Sequence, residues 1–312
     1  MEKKLLLIAM MTFFVGKKVS KYANTFVSEE DLDQFYNYAM TNEGYHVALN
    51  GLFKTQLDKR EKGFYKVGTY EWQTGDPLPN PAPKGMYQGQ AVTSLHDLFL
   101  HCGQMVELDI SHFDTHNVTD MSDLFRGCKH LKKLNLKYLD TSQVRDMSGL
   151  FRGCKHLEKL NLRHFDTSQV TDMMCMFAGC TALTTLDISR FNTSKVTDMV
   201  CMFSGCSALK RLNLSHFNTE NVTNMSNMFA YDNRLTTLDL SRFDTGKVTD
   251  MSDMFVNCSD LTTLDLRDFD ISEVTDMRYM FKGCEALSDL TFREHDLHQK
   301  GGLMQQESAV EN

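Results

Sequence analysis

The 312-residue sequence is short of the features by which enzymes and nucleic-acid binders are usually recognised. No glycine-rich phosphate loop, no nucleophile set beside a base and no carboxylate pair outside a repeating pattern occurs, so nothing points to catalysis. Nor is there a run of lysines or arginines. With a net charge of -8, the chain has no global pull towards nucleic acid or an anionic membrane. Its single tryptophan is Trp72, and its four prolines all fall in "PLPNPAPKG" at 77–85. No cysteine precedes Cys102, which excludes a lipid-anchor cysteine behind the N-terminal apolar run.

That run, Leu5 to Val15, follows two lysines and has the length of a signal-peptide core, too short for a relaxed membrane span. It is expected to act as a signal peptide or N-terminal anchor over 1–23. Residues 24–76, with "SEEDLDQFYNYAM" and an aromatic segment around Phe64, Tyr65, Tyr70 and Trp72, form an N-terminal cap or adaptor of unassigned role. Alternating prolines favour extended polyproline II, which makes 77–91 a semi-rigid linker. A solenoid at 92–292 and a polar tail at 293–312 complete the expected organisation.

What the chain has in abundance is repetition. Val92, Val118, Val144, Val170, Val196, Val222, Val248 and Val274 stand 26 residues apart without an insertion, giving seven units and a truncated eighth. Periods of this length mark solenoids. In "LTTLDIS", Leu183, Leu186 and Ile188 follow L-x-x-L-x-L, and the alternation at 185–188 predicts a strand with one buried face, stacked with its copies into a parallel sheet. Val196, Met199, Met202 and Phe203, at i, i+3, i+6 and i+7, predict one or two helical turns anchored by phenylalanine, which holds that slot from Phe99 to Phe281.

Gly127, Gly153, Gly179, Gly205 and Gly283, with Asn257 in register, predict a left-handed residue at the end of each turn. His101 and Tyr231 are the exceptions. Cysteine follows at 102, 128, 154, 180, 206, 258 and 284, where a small, weakly apolar side chain suits a packed core. A row does not converge on a point, so no metal site is expected there. Aspartate recurs before the turn, with Asn224 in one copy, a substitution that favours capping of backbone N–H groups over calcium binding. Asp232 replaces cysteine in the sixth unit, which predicts a weak point or a bound partner.

The segment Phe243 to Phe269, "FDTGKVTDMSDMFVNCSDLTTLDLRDF", resembles the repeat of the BspA-like leucine-rich-repeat surface proteins of bacteria, in the 26-residue version catalogued as a domain of unknown function in mycoplasmas. The resemblance spans about 200 residues. It implies a right-handed leucine-rich-repeat-like solenoid of the α/β repeat class, display at the cell surface or secretion, and adhesion to protein or glycan, without catalysis or cofactor.

Binding is therefore expected on the sheet face. The candidate residues are Lys133, Lys159 and Arg211 in one row and His112, Tyr138, His164, Arg190, His216 and Arg242 in another, which together offer hydrogen bonding and stacking to an extended ligand. Cys175 and Cys201 share a variable slot in adjacent units, where they are expected to be exposed and to face each other, as free thiols or, if their Cα atoms lie within about 7 Å, as an inter-repeat disulfide. The expected function is a non-enzymatic secreted or surface binding protein. The alternatives are a self-assembling surface scaffold or, for a cytoplasmic chain, an intracellular interaction scaffold.

Overall fold

The computed structural model describes residues 93–292, Gln104 and His112 excepted, together with the backbone of five short strands ahead of them. Strands β1 (Thr55–Asp58), β2 (Phe64–Val67) and β3 (Tyr70–Gln73) form an antiparallel sheet in the order β1-β2-β3. β4 (Met86–Tyr87) and β5 (Gln90–Ala91) pair antiparallel. These elements fall within the segments expected as cap and linker. The expected signal or anchor at 1–23 and the C-terminal tail at 293–312 lie outside the described residues.

From residue 93 onward the chain coils as a solenoid around one continuous apolar core that runs from Leu95 to Met280. Each coil contributes its valine, methionine, leucine and phenylalanine slots. The phenylalanines from Phe99 to Phe255 are fully buried and stack ring on ring, with centroids 5.5 to 5.7 Å apart from Phe99 to Phe281. Near-parallel rings at this spacing contribute roughly 0.5–1.5 kcal/mol per pair beyond their buried area.

The expected helical turns do not form: no helix occurs among the described residues. The backbone of 171–180 shows why. Met173, Cys175, Phe177 and Gly179 donate their N–H groups to Asp198, Val200, Met202 and Ser204 in the next coil, at 2.7 to 3.2 Å. Between them, Met176, Ala178 and Cys180 bond three residues back, while Thr171 bonds back to Arg145 and Met174 donates to Asp172 Oδ1. All ten amides of 171–180 are thereby satisfied, six of them across coils once Asp172 N to Arg145 O is included, and an α-helix would withdraw these from the neighbour. Left-handed residues four apart, such as Cys175 (φ 56°) and Gly179 (φ 72°), permit the alternation.

The left-handed expectation is met at Gly127, Gly153, Gly179, Gly205, Gly283 and Asn257, and His101 and Tyr231 adopt the same conformation. The aspartate slot caps turns instead of helices: Asp120 Oδ1 accepts from Ser122 N at 2.9 Å, and Asn224 Oδ1 from Ser226 N at 2.8 Å. Its backbone forms a parallel bridge at every step from Ser94 to Asp276. Buried threonines lace successive coils together, Thr167 Oγ1 donating to Asn192 O at 3.0 Å while accepting from Asn192 N at 2.8 Å.

On the strand face pairing is sparse. β6 (Glu107–Asp109) pairs in parallel with β7 (Lys133–Asn135), and β8 (Thr263–Asp265) with β9 (Asp289–Thr291). Between them only the bridges Asn161–Asp187 and Thr237–Thr263 occur. The expected continuous sheet is thus interrupted. A second phenylalanine column nearer this face has its rings 6.4 to 6.5 Å apart, from Phe217 to Phe269, against 5.5 to 5.7 Å in the turn-side column. Backbone pairing is therefore continuous at the turn side and intermittent on the strand face.

A candidate binding groove on the strand face

Where pairing is sparse, a groove of about 820 Å³ opens across four coils. Its lining includes Lys132, Lys133 and Leu134 from one coil, Glu158 to Asn161 from the next, Thr185 to Asp187 from the third, and Arg211 with Asn213 from the fourth. The leucine alternation builds it: Leu160 and Leu186 turn inward to the core, and the residues on either side of each project outward.

The groove is basic. Lys133 pairs with Glu107 at 2.6 Å and Arg163 with Asp187 at 3.1 Å, but Lys132, Lys159 and Arg211 have no ion-pair partner among the described residues. Hydrogen bonds from Ser189 and from Arg163 hold the Asp187 carboxyl below its ordinary range, so it stays charged and occupied by its own neighbours. The segment 126–164 carries ten lysines and arginines against three acidic residues, within a chain of net charge -8. A field of one sign is therefore concentrated on the coils that line the groove. Lys133, Lys159 and Arg211 come from one slot of the 26-residue register, and Lys132 from the slot beside it.

Of the expected site residues, Lys133, Lys159 and Arg211 are brought together here. His216 and Arg242 line a separate shallow depression of about 580 Å³ with Ser215 and Glu220. Tyr138 is 64% exposed, with Lys137 Nζ 4.7 Å from its ring centre. His164 and Arg190 are exposed on the same row, and His112 lies outside the described residues. Among the described residues no three histidine, cysteine or acidic side chains converge as metal ligands.

The cysteine column lies inside the core. Cys128, Cys154, Cys180, Cys206 and Cys258 are buried, and each thiol donates to the carbonyl of a phenylalanine one coil back, as Cys180 does to Phe151 at 3.2 Å. Burial pushes the Cys128 and Cys180 thiols up to about 12, which keeps them protonated and unreactive. Asp232 occupies this column fully buried, and no hydrogen bond of normal geometry reaches either of its oxygens. Burial drives its carboxyl well above the usual range, a shift the nearby Cys206 N–H offsets only in part. Asp232 thus puts an acid whose neutral form is favoured in a thiol's place.

A coiled stack of short repeats with a buried turn-side ladder and a polar, open strand face is a leucine-rich-repeat-type solenoid, a class built to present surface. The chain belongs to the family described as "Mycoplasma protein of unknown function, DUF285", whose model matches residues 93–212 and 178–293, in agreement with the 26-residue motif. Among solved structures it is similar to a leucine-rich repeat protein from Bacteroides ovatus, at 17% identity over 77% of this chain and 75% of that one, with a TM-score of 0.32. A leucine-rich repeat protein from Eubacterium ventriosum matches at 19% identity over 62% of this chain and 59% of that one, with a TM-score of 0.36. A leucine-rich cell surface protein from Faecalibacterium prausnitzii matches at 12% identity over 85% and 99%, with a TM-score of 0.27. No curated protein matches the chain.

Proposed function

We propose that this protein is a non-enzymatic binding module, displayed at the cell surface or secreted, whose strand-face groove receives an extended anionic segment of a protein or glycan. The observation that carries the reading is the convergence of Lys132, Lys159 and Arg211, without carboxylate partners, on one elongated groove. Unpaired cations attract an anionic chain at long range, and the partly exposed Leu134 supplies apolar contact once it docks. The lysine-flanked apolar run at Leu5–Val15 supports export.

The test is binding of the full chain to heparin and to poly-L-glutamate across a salt series. The expected result is binding to at least one of these that weakens as salt rises and is lost in Lys159→Glu/Arg211→Glu. Failure to bind either, or binding indifferent to both charge reversals, overturns the proposal.

A further inference from the structure

Seven of the nine cysteines belong to the core column; Cys175 and Cys201 do not. They occupy the same slot of adjacent coils, in the same left-handed conformation, with φ of 56° and 55°. Both are fixed by the turn-side ladder, Cys175 N donating to Val200 O at 2.8 Å and Cys201 N to Ser226 O at 3.0 Å. Adjacent backbones in such a ladder lie about 4.8 Å apart. That is inside the roughly 4.4–6.8 Å window over which a disulfide joins two Cα atoms. Side chains of this column do reach the neighbouring coil, since the Asp123 carboxylate occupies the space a side chain would need at Gly149.

The remaining residues of this slot are Asp97, Asp123, Gly149, Asn227, Asp253 and Tyr279. Glycine, asparagine and aspartate tolerate left-handed backbone better than other residues, so two consecutive cysteines here accept strain that the common occupants avoid. The surroundings also differ. Arg126 is paired with Asp123 of its own coil at 3.0 Å, whereas Arg152 has Gly149 in the corresponding place.

We propose that Cys175 and Cys201 form an inter-coil dithiol site that exchanges with low-molecular-weight disulfides and closes to an intramolecular disulfide. Hydrogen bonding from Cys201 lowers the Cys175 thiol to about 7, with the Arg152 charge helping and Asp123 and Asp198 opposing. Cys201, which keeps the shared proton, is raised. The pair therefore holds a thiolate near neutral pH, the nucleophile that exchange requires. This thiolate attacks one sulfur of the small disulfide, forming a mixed disulfide and releasing one thiolate, which takes up a proton. The second cysteine then loses its proton, attacks the protein sulfur of the mixed disulfide and displaces the other small thiol. The protein gives up two protons and two electrons, and the small disulfide takes them up to become two thiols.

Cys201 is partly exposed and Cys175 is buried at 8% exposure, which corrects the expectation that both lie open. The reagent meets the pair at Cys201, which becomes the attacking thiolate when the shared proton passes to Cys175, and the cover over Cys175 favours intramolecular closure over capture of a second reagent.

The experiment is intact-mass measurement and peptide mapping of the full-length reduced protein after incubation with oxidised glutathione at neutral pH. The expected product lacks two hydrogens, contains a peptide linked through Cys175 and Cys201, and leaves the other seven thiols free. Cys175→Ser and Cys201→Ser should each stop at one glutathionyl group on the remaining member of the pair. Recovery of unmodified wild type, of wild type carrying two glutathionyl groups, or of a bond to any third cysteine overturns the proposal, and the wild-type mass alone decides it if a variant fails to fold.

Discussion

The turn side and the strand side of each coil are written by the same 26-residue repeat and separated by one layer of core, yet they are held in opposite ways. On the turn side, five or six backbone hydrogen bonds join each coil to the next, six of them between 145–153 and 171–178, and phenylalanine rings repeat at 5.5 to 5.7 Å. On the strand side, whole steps lack a backbone bridge, and the charged residues vary from coil to coil. The turn-side slots whose side chains pack on their own copies in both neighbouring coils, such as phenylalanine, keep their residue type, while the Cys175 slot, which bonds across coils through backbone, varies. The open slots answer to no neighbour and can be given over to a ligand.

Substitutions sharpen that contrast in order of expected size. Phe177→Ala removes a ring stacked 5.7 Å from both Phe151 and Phe203 and should cost about 3–5 kcal/mol in chemical denaturation. A cost no greater than that of Leu134→Ala, on the partly buried strand side, would erase the distinction.

Asp232→Cys works in the opposite direction, restoring a thiol to the column, and should stabilise by roughly 1–3 kcal/mol at pH 7. The pH dependence is signed. The folded state holds the Asp232 proton more tightly than the unfolded chain, so its stabilising effect is complete below about pH 4 and is lost as pH rises towards the elevated folded value. Thermal melts of the wild type should show this decline on raising the pH from the acid side, and Asp232→Cys should remove that component.

Gly179→Ala comes next. An added Cβ would meet Gly153 only at 3.6 Å, an ordinary contact, so the cost of about 1–2 kcal/mol comes from φ at 72°. Lys159→Thr, in the groove, should move stability by less than about 0.5 kcal/mol while weakening polyanion binding measured by titration.

The period alone makes much of the molecule legible. Phenylalanine, valine, cysteine and glycine recur in register, and their burial and the left-handed turn follow. The helix was misread for a definite reason: Val196, Met199, Met202 and Phe203 have a spacing that successive three-residue turns satisfy as well as a helix does. Information against a helix was present in the slot of Asp123, Gly149, Asn227 and Asp253, whose types favour left-handed backbone, but cysteine and tyrosine in the same column disguised it. The strand alternation at Leu186 and Ile188 reports correctly which side chains turn inward. It carries no information about whether neighbouring coils come close enough to pair, which depends on contacts between repeats and not within one. The charges of the groove at Lys132, Lys159 and Arg211 were visible residue by residue, and their assembly required three coils to be laid side by side.

The turn-side ladder also sets where the gene can change length. An amide that must find a carbonyl 25 residues further on fixes the residue count between them, so an insertion within 171–180 would misalign every bond to both neighbouring coils. Extra residues at the outer edge of the strand face, around Asn213 to His216, would interrupt no such bond. New loops, epitopes or whole domains should therefore be graftable along one flank of this scaffold and refused along the other, and length should otherwise change only by complete 26-residue coils.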